Sequence, residues 1–257
     1  MSKLIDMLEK TGDFTPGPMG FGLATSREKS TAQMVLVVRA STDLLTKTNS
    51  LEKVEADAIL VDTNIEEFRE VTKSLSNRPC GFYSAELTAL NASELVDSCC
   101  DFVIFESLNS EAAITNIVDL GIVAVISADM DKETVRSIGM LPIDAVLLRP
   151  SLRDQPLTVN EATDIQKLAR LVGKPVLVET PNGISQQNLE VLKNIGVEGL
   201  IVDVENTTDL DKITKTNEAI SKLQRAEHKT ARRDAIIPQI AATDQVDPDD
   251  TGDDEDF

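Results

Sequence analysis

Six charged residues stand directly after short apolar runs, and they are the strongest candidates for chemistry in this sequence. They are Arg39, Asp62, Glu106, Arg149, Glu179 and Asp203. Carboxylate oxygens bind hard divalent cations and transfer protons, whereas guanidinium groups bind carboxylate or phosphate. The four acids are therefore predicted ligands for Mg²⁺ or Mn²⁺, with Asp62, Glu106 and Glu179 also as catalytic groups. Arg39 and Arg149 are predicted to bind a small anionic substrate.

The apolar runs that these charges follow are predicted β-strands. Eight runs recur, at residues 34–38, 58–61, 80–83, 102–105, 122–126, 145–148, 175–178 and 199–202. Their mean spacing is about 24 residues, which is the length that one strand and one helix need in a (β/α)8 barrel. Runs without polar alternation are typical of strands that are covered on both faces. The predicted fold is therefore an α/β (β/α)8 TIM barrel over residues 34–228.

Active sites of such barrels lie at the carboxyl ends of the strands, where the six charges stand. A shift of one residue would turn a side chain from the barrel interior to the helix layer. Two alternatives therefore stay open: a functional site at the barrel mouth, or a structural ring of ion pairs. Helix starts are predicted at 63–64, 107–110 and 129, and a helix end at 120–121, from capping residues followed by acids.

The flanking segments differ from the barrel in composition. Residues 3–11 have helical spacing, and a Gly- and Pro-rich segment follows up to residue 33. Residues 229–257 form a C-terminal extension, in which 243–257 carry eight acidic residues and no Lys or Arg. Such a segment cannot bury enough apolar area to offset chain entropy, so a disordered acidic tail is predicted.

Composition excludes several partners and chemistries. The formal charge of −19 disfavours nucleic acid and anionic membranes, and no run of apolar residues is long enough for a membrane span. An odd count of cysteines, at positions 80, 99 and 100, indicates a reducing, cytoplasmic setting and buried thiols. The single histidine, His228, disfavours zinc and histidine acid–base chemistry, and no strand end carries a Schiff-base lysine. No organic cofactor is evident.

In general layout the chain resembles the aldolase-type and ribulose-phosphate-binding barrels over residues 34–223. The most suggestive segments are 174–185, which includes Asn182 and Gly183, and 195–203. In those families glycine-containing loops after the last two strands bind phosphate through backbone amides, so the resemblance implies substrate binding at Asn182 and Gly183. The chain departs from the pattern where Asp203 replaces a small residue.

Two hypotheses of function follow. The first is a metal-assisted lyase or aldolase-like enzyme that acts on a small carboxylate- or phosphate-bearing metabolite. The second is a non-catalytic barrel that binds or assembles with a partner through its C-terminal extension, or with further copies of itself as a homo-oligomer.

Overall fold

The chain forms a closed barrel of eight parallel β-strands. The computed structural model describes residues 2–12, 34–41, 55–75, 78–106, 108–150, 157–180, 184–204 and 210–223. The strands are β1 Val35–Ser41, β2 Ala58–Asp62, β3 Cys80–Ser84, β4 Phe102–Phe105, β5 Gly121–Ser127, β6 Ala145–Arg149, β7 Val176–Thr180 and β8 Gly199–Val204. Each strand pairs with the next, and β8 pairs with β1. The predicted TIM-barrel fold is confirmed, and every predicted strand is present.

Seven α-helices accompany the strands in the described residues. They are α1 Lys3–Thr11, α2 Ile65–Ser74, α3 Ala89–Asp97, α4 Lys132–Met140, α5 Val159–Val172, α6 Gln186–Asn194 and α7 Leu210–Ser221. Side chains cap the N-termini of α1 to α6: for example, Asn64 accepts from the Glu67 amide, and Thr158 and Glu161 form a reciprocal capping box. The helix predicted at residue 129 begins instead after Asp131, whose carboxylate caps α4. None of these described helices is long and apolar enough to cross a membrane.

The connection between β4 and β5 differs from the prediction of a helix. It contains only a short 3-10 helix, Ala112–Asn116, without a side-chain cap. The residues expected to cap it bond elsewhere: Ser110 Oγ accepts from the Leu87 amide at 3.0 Å, and Glu111 Oε2 accepts from the Ala89 amide at 2.8 Å. These polar groups fasten the start of α3, so they do not nucleate a helix of their own.

Two apolar layers lie on the two sides of the strands. The inner layer fills the barrel, and helix α1 contributes Leu4, Ile5 and Leu8 to it. A Cβ on Gly121 would lie 2.7 Å from Ser2 Oγ and 2.9 Å from Ile5 Cγ1, so this close approach of α1 requires glycine. Helix α1 therefore packs against the N-terminal ends of the strands, opposite the mouth.

Acids at this N-terminal end bind the main chain. Three of them stand directly before an even-numbered strand. The carboxylate of each accepts a hydrogen bond from a backbone amide near the start of the preceding strand. The donor and acceptor pairs are Leu36 and Asp57 at 2.8 Å, Ile122 and Asp144 at 2.7 Å, and Val176 and Glu198 at 2.7 Å. Each acid also donates its own amide to the carbonyl of the same partner residue. Burial raises the pKa of Glu198 to about 7, against the lowering effect of the Val176 hydrogen bond.

Asp101, which precedes β4, has a different partner. Its carboxylate accepts from Ser2 Oγ at 2.9 Å, from the Lys3 amide at 2.8 Å and from the Leu4 amide at 2.9 Å. The two amides have no partner within the helix because they belong to the first turn of α1, and a carboxylate satisfies such donors well. One acid thus fixes α1 to the bottom of the barrel.

The predicted boundaries of the segments 1–33, 34–228 and 229–257 stay predictions, because residues 13–33 and 224–257 lie outside the described part of the chain. The predicted disordered tail and His228 lie there as well.

Candidate functional site

All six predicted charges stand at inward-facing positions of the barrel. Five belong to the strands themselves, and Glu106 follows β4 by one residue. Each lies two residues beyond a member of the inner apolar layer: Val37, Leu60, Ile104, Leu147, Leu177 and Ile201. Because side chains alternate along a strand, this parity directs the charges toward the mouth.

Glu179 lies at the centre of the charged network. Its Oε1 accepts from Arg39 Nη2 at 3.1 Å, and its Oε2 accepts from Arg149 Nε at 2.6 Å. The Glu179 side chain is 18% exposed, the lowest value in the network. One carboxylate therefore holds two guanidinium groups on its two sides.

Arg39 is also bound by Asp203 through two contacts. Arg39 Nε lies 2.6 Å from Asp203 Oδ1, and Nη2 donates to Oδ2 at 2.7 Å. The two residues are paired in register between β1 and β8. Burial alone would lower the pKa of Arg39, but the hydrogen bond and charge of Asp203 raise it above its ordinary value. Burial also raises the pKa of Asp203, against the opposing effect of Arg39.

Arg149 uses three nitrogens for three partners. Nε binds Glu179, Nη1 forms an ion pair with Glu106, and Nη2 donates to the Tyr83 hydroxyl at 3.0 Å. Burial would lower the pKa of Arg149, but its hydrogen bonds with Tyr83 and Glu179 raise it. The result is an alternating chain of charges across the mouth, which runs Asp203, Arg39, Glu179, Arg149 and Glu106.

Tyr83 is a member of the site that the sequence prediction missed. Its ring centroid lies 5.4 Å from the guanidinium carbon of Arg39 and 5.8 Å from that of Arg149, so both cations stand near one aromatic ring. Two signals were present: Tyr83 is the single tyrosine of the chain, and it is the last residue of run three, directly before the position where other runs have a charge. A search restricted to charged residues could not find it.

Three predicted site residues are not part of this network. Asp62 is exposed at the end of β2, and no ion pair of its side chain is seen among the described residues. Asn182 and Gly183 lie outside the described residues, so their predicted role in substrate binding stays a prediction.

The acids predicted to bind a divalent cation have other partners in the structure. Within the part of the chain that the structure describes, no three His, Cys, Asp or Glu side chains are grouped so that they could hold a metal ion. Oxygens of Glu106, Glu179 and Asp203 bind arginine instead. Binding of Mg²⁺ or Mn²⁺ by these acids stays a prediction.

Two of the three cysteines are buried and one is exposed. Cys80 and Cys100 are buried as predicted, whereas Cys99 is exposed. The prediction was wrong for Cys99 because this residue has a left-handed backbone, with φ of 61°, in the turn after α3. Burial raises the pKa of the Cys80 thiol to about 11, and burial also raises that of Cys100, so neither is an activated nucleophile.

Comparison with known proteins supports the fold. No family model and no curated protein matches the chain. Among solved structures, a tryptophan synthase α-subunit variant from Pyrococcus furiosus has a TM-score of 0.57 and 12% identity, over 74% of this chain and 97% of that one. Thiamine phosphate pyrophosphorylase from Pyrococcus furiosus has a TM-score of 0.53 and 15% identity, over 74% and 98%.

A third neighbour is an HpcH/HpaI aldolase/citrate lyase family protein from Burkholderia cenocepacia, with a TM-score of 0.55 and 8% identity, over 73% of this chain and 94% of that one. At these identities the likeness shows the fold alone. The resemblance to aldolase-type TIM barrels is confirmed at that level.

Proposed function

We propose that the mouth network is the active site of a lyase or aldolase-like enzyme that acts on a small carboxylate-bearing metabolite. The observation that carries the proposal is the alternating chain of two arginines and three acids around Tyr83, at the carboxyl ends of the strands. TIM-barrel enzymes place their catalytic groups at this end.

The energetics of the network favour a functional role. Taking charges out of water costs free energy, and partly buried ion pairs recover that cost only in part. Apolar side chains at these positions would fill the mouth without it. A half-buried set of five charges is therefore better explained by binding and catalysis than by stability.

Each group has a role in this proposal. Arg39 and Arg149 orient the substrate carboxylate, since a guanidinium presents a planar set of donors to it. In cleavage, Glu106 removes the proton of a substrate hydroxyl, the neighbouring C–C bond breaks, and its electron pair forms an enolate in the departing fragment. A guanidinium stabilises the enolate oxygen, and the Tyr83 phenol returns a proton to carbon.

The prediction of a divalent cation is part of the same proposal. Mg²⁺ or Mn²⁺ would polarise a substrate carbonyl, and Glu106 and Asp62 are the acids with the fewest described arginine contacts. A phosphate group on the substrate, which the resemblance implies, would lie near Asn182 and Gly183.

The test is turnover of a defined panel by the full chain. Short-chain hydroxy acids and keto acids, with and without phosphate, are incubated with the protein, and cleavage products are followed by proton NMR. Parallel series contain EDTA, Mg²⁺ or Mn²⁺. We expect a keto acid or aldehyde product that disappears in Arg149→Lys. Turnover that is unchanged in this variant would contradict the proposal.

A second candidate function is a non-catalytic binding or assembly barrel. The observation that favours it is that the three acids of the network are each paired with an arginine, so both arginines already have partners within the protein. In this case residues 229–257 would provide the contact with a partner or a second copy. Deletion of 232–257 would then change the number of subunits per particle, calculated from light scattering and the mass of each chain, and an unchanged number would count against this candidate.

A further inference from the structure

The two terminal acids of the network are held unequally. Both carboxylate oxygens of Asp203 contact Arg39, Oδ2 as a hydrogen-bond acceptor and Oδ1 as an ion-pair contact without a hydrogen bond. Asp203 also lies in a strand in register with Arg39. Glu106 follows the end of β4, and its one ion pair among the described residues joins Oε1 to Arg149. Arg149 is also more exposed than Arg39, with 30% of its side chain accessible against 20%. The contact between Glu106 and Arg149 is thus the most replaceable ion pair of the site.

We propose that the substrate carboxylate displaces Glu106 from Arg149, and that the released Glu106 then acts as the base. This inference rests on the proposed function and names how its site recognises the substrate. The ligand class is a small carboxylate-bearing molecule, of which one carboxylate binds at the Nη1 edge of Arg149.

The remaining contacts of Arg149 keep this edge in position during the exchange. Nε stays bound to Glu179, and Nη2 stays bound to the Tyr83 hydroxyl. The guanidinium therefore keeps two fixed anchors while its third partner changes. Such preorganisation reduces the entropy lost when a ligand binds.

The exchange also leaves the Arg149 cation paired at every stage. Arg149 is neutralised by Glu106 before binding and by the substrate afterwards, so no buried cation is left alone. Glu106 becomes an unpaired carboxylate only when a substrate carboxylate is present beside it. The base is therefore available only in the loaded site.

Affinity for a carboxylate probe tests the exchange. Malonate is titrated at constant ionic strength into wild type, Glu106→Gln and Asp62→Asn, with the Arg149 Nε–H signal followed by NMR. Glu106→Gln removes the internal competitor, and we expect it to bind malonate about three- to tenfold more tightly. Asp62→Asn removes one negative charge at the same mouth without releasing an arginine, so we expect about a twofold gain from reduced repulsion.

Equal gains in the two variants would overturn the inference, because net charge alone would then explain them. Loss of the gain in the double variant Glu106→Gln with Arg149→Lys would support it. Circular dichroism of each variant verifies the fold.

The same experiments separate this inference from the proposed function. Selective gain of malonate affinity without turnover of any panel member would support the exchange and contradict the enzyme. Turnover that depends on Arg149, together with equal gains in the two single variants, would support the enzyme and contradict the exchange.

Discussion

Acidic residues at the two ends of this barrel bind different kinds of partner. At the N-terminal end, Asp57, Asp144 and Glu198 accept hydrogen bonds from backbone amides. At the mouth, Glu179 and its neighbours bind arginine side chains. A backbone amide is fixed by the strand that carries it, whereas an arginine can exchange one anion for another. We therefore propose that the first set serves stability and that the second set serves binding.

The largest expected effect concerns the mouth. With the substrate that the panel identifies, we expect Glu106→Gln to lower turnover by about 10²- to 10⁴-fold, because it removes the base. Thermal unfolding should change little, since Glu106 has a single described ion pair at the rim. If Glu106→Gln loses stability and keeps turnover, Glu106 serves stability and the proposed difference between the two ends is wrong.

Glu198 provides a pH test of the N-terminal end. Its folded pKa of about 7 lies above its ordinary value of 4.5, so the folded state retains this proton over that interval. The contribution of Glu198 to the unfolding free energy is therefore fully present below its pKa in the unfolded chain. It is lost as the pH rises through its pKa in the folded protein.

We expect the unfolding free energy of wild type to fall by about 3 kcal/mol between about pH 5 and pH 8 because of this group. Glu198→Gln keeps an acceptor for the Val176 amide but cannot titrate, so this fall should be absent in the variant. Urea unfolding of both proteins at the two pH values measures it. If the difference in unfolding free energy between variant and wild type does not change with pH, Glu198 does not titrate in this range.

Asp101 tests how α1 is attached. Replacement by Ala removes the acceptor of three donors at the helix start, and we expect a loss of about 2 kcal/mol in unfolding free energy. Asp101→Asn keeps one acceptor oxygen and should lose less. Urea unfolding measures both, and an equal loss in the two variants would argue against a capping role.

The smallest expected effect is the dependence of stability on salt, which distinguishes ion pairs at the mouth from backbone hydrogen bonds at the N-terminal end. We expect Asp203→Asn to cost about 1 kcal/mol at low ionic strength and less at about 0.5 M NaCl, because exposed ion pairs are screened. The cost of Asp101→Ala should depend less on salt, since its partners are uncharged backbone amides and a hydroxyl. Unfolding curves of both variants at two salt concentrations make this measurement.

The sequence predicted the strands well because continuous apolar runs are a local signal. It could not predict the direction of Arg39 or Glu179, since this depends on the residue at which each strand begins. The helix before β5 was mispredicted because Ser110 and Glu111 bond to the start of α3. Tyr83 was missed because its role depends on two arginines that are distant in sequence.

The acids of the N-terminal end were missed although their positions are regular. Asp57, Asp101, Asp144 and Glu198 directly precede β2, β4, β6 and β8. The carboxylates of Asp57, Asp144 and Glu198 accept from amides 21 or 22 positions away, whereas that of Asp101 binds the start of α1. This regularity becomes visible only when the strands are numbered. Catalytic groups are expected at the carboxyl ends of the strands, so acids at the N-terminal end were not candidates.

These bonds link three pairs of neighbouring strands, β1–β2, β5–β6 and β7–β8, and have a consequence for the order of folding. The bonds from Leu36 to Asp57, from Ile122 to Asp144 and from Val176 to Glu198 each close a short loop, which costs little chain entropy. Closure of β8 onto β1 joins Arg39 to Asp203, 164 residues apart. Amides of Leu36, Ile122 and Val176 should therefore become protected early in pulse-labelled hydrogen exchange, whereas the β1–β8 seam should close last.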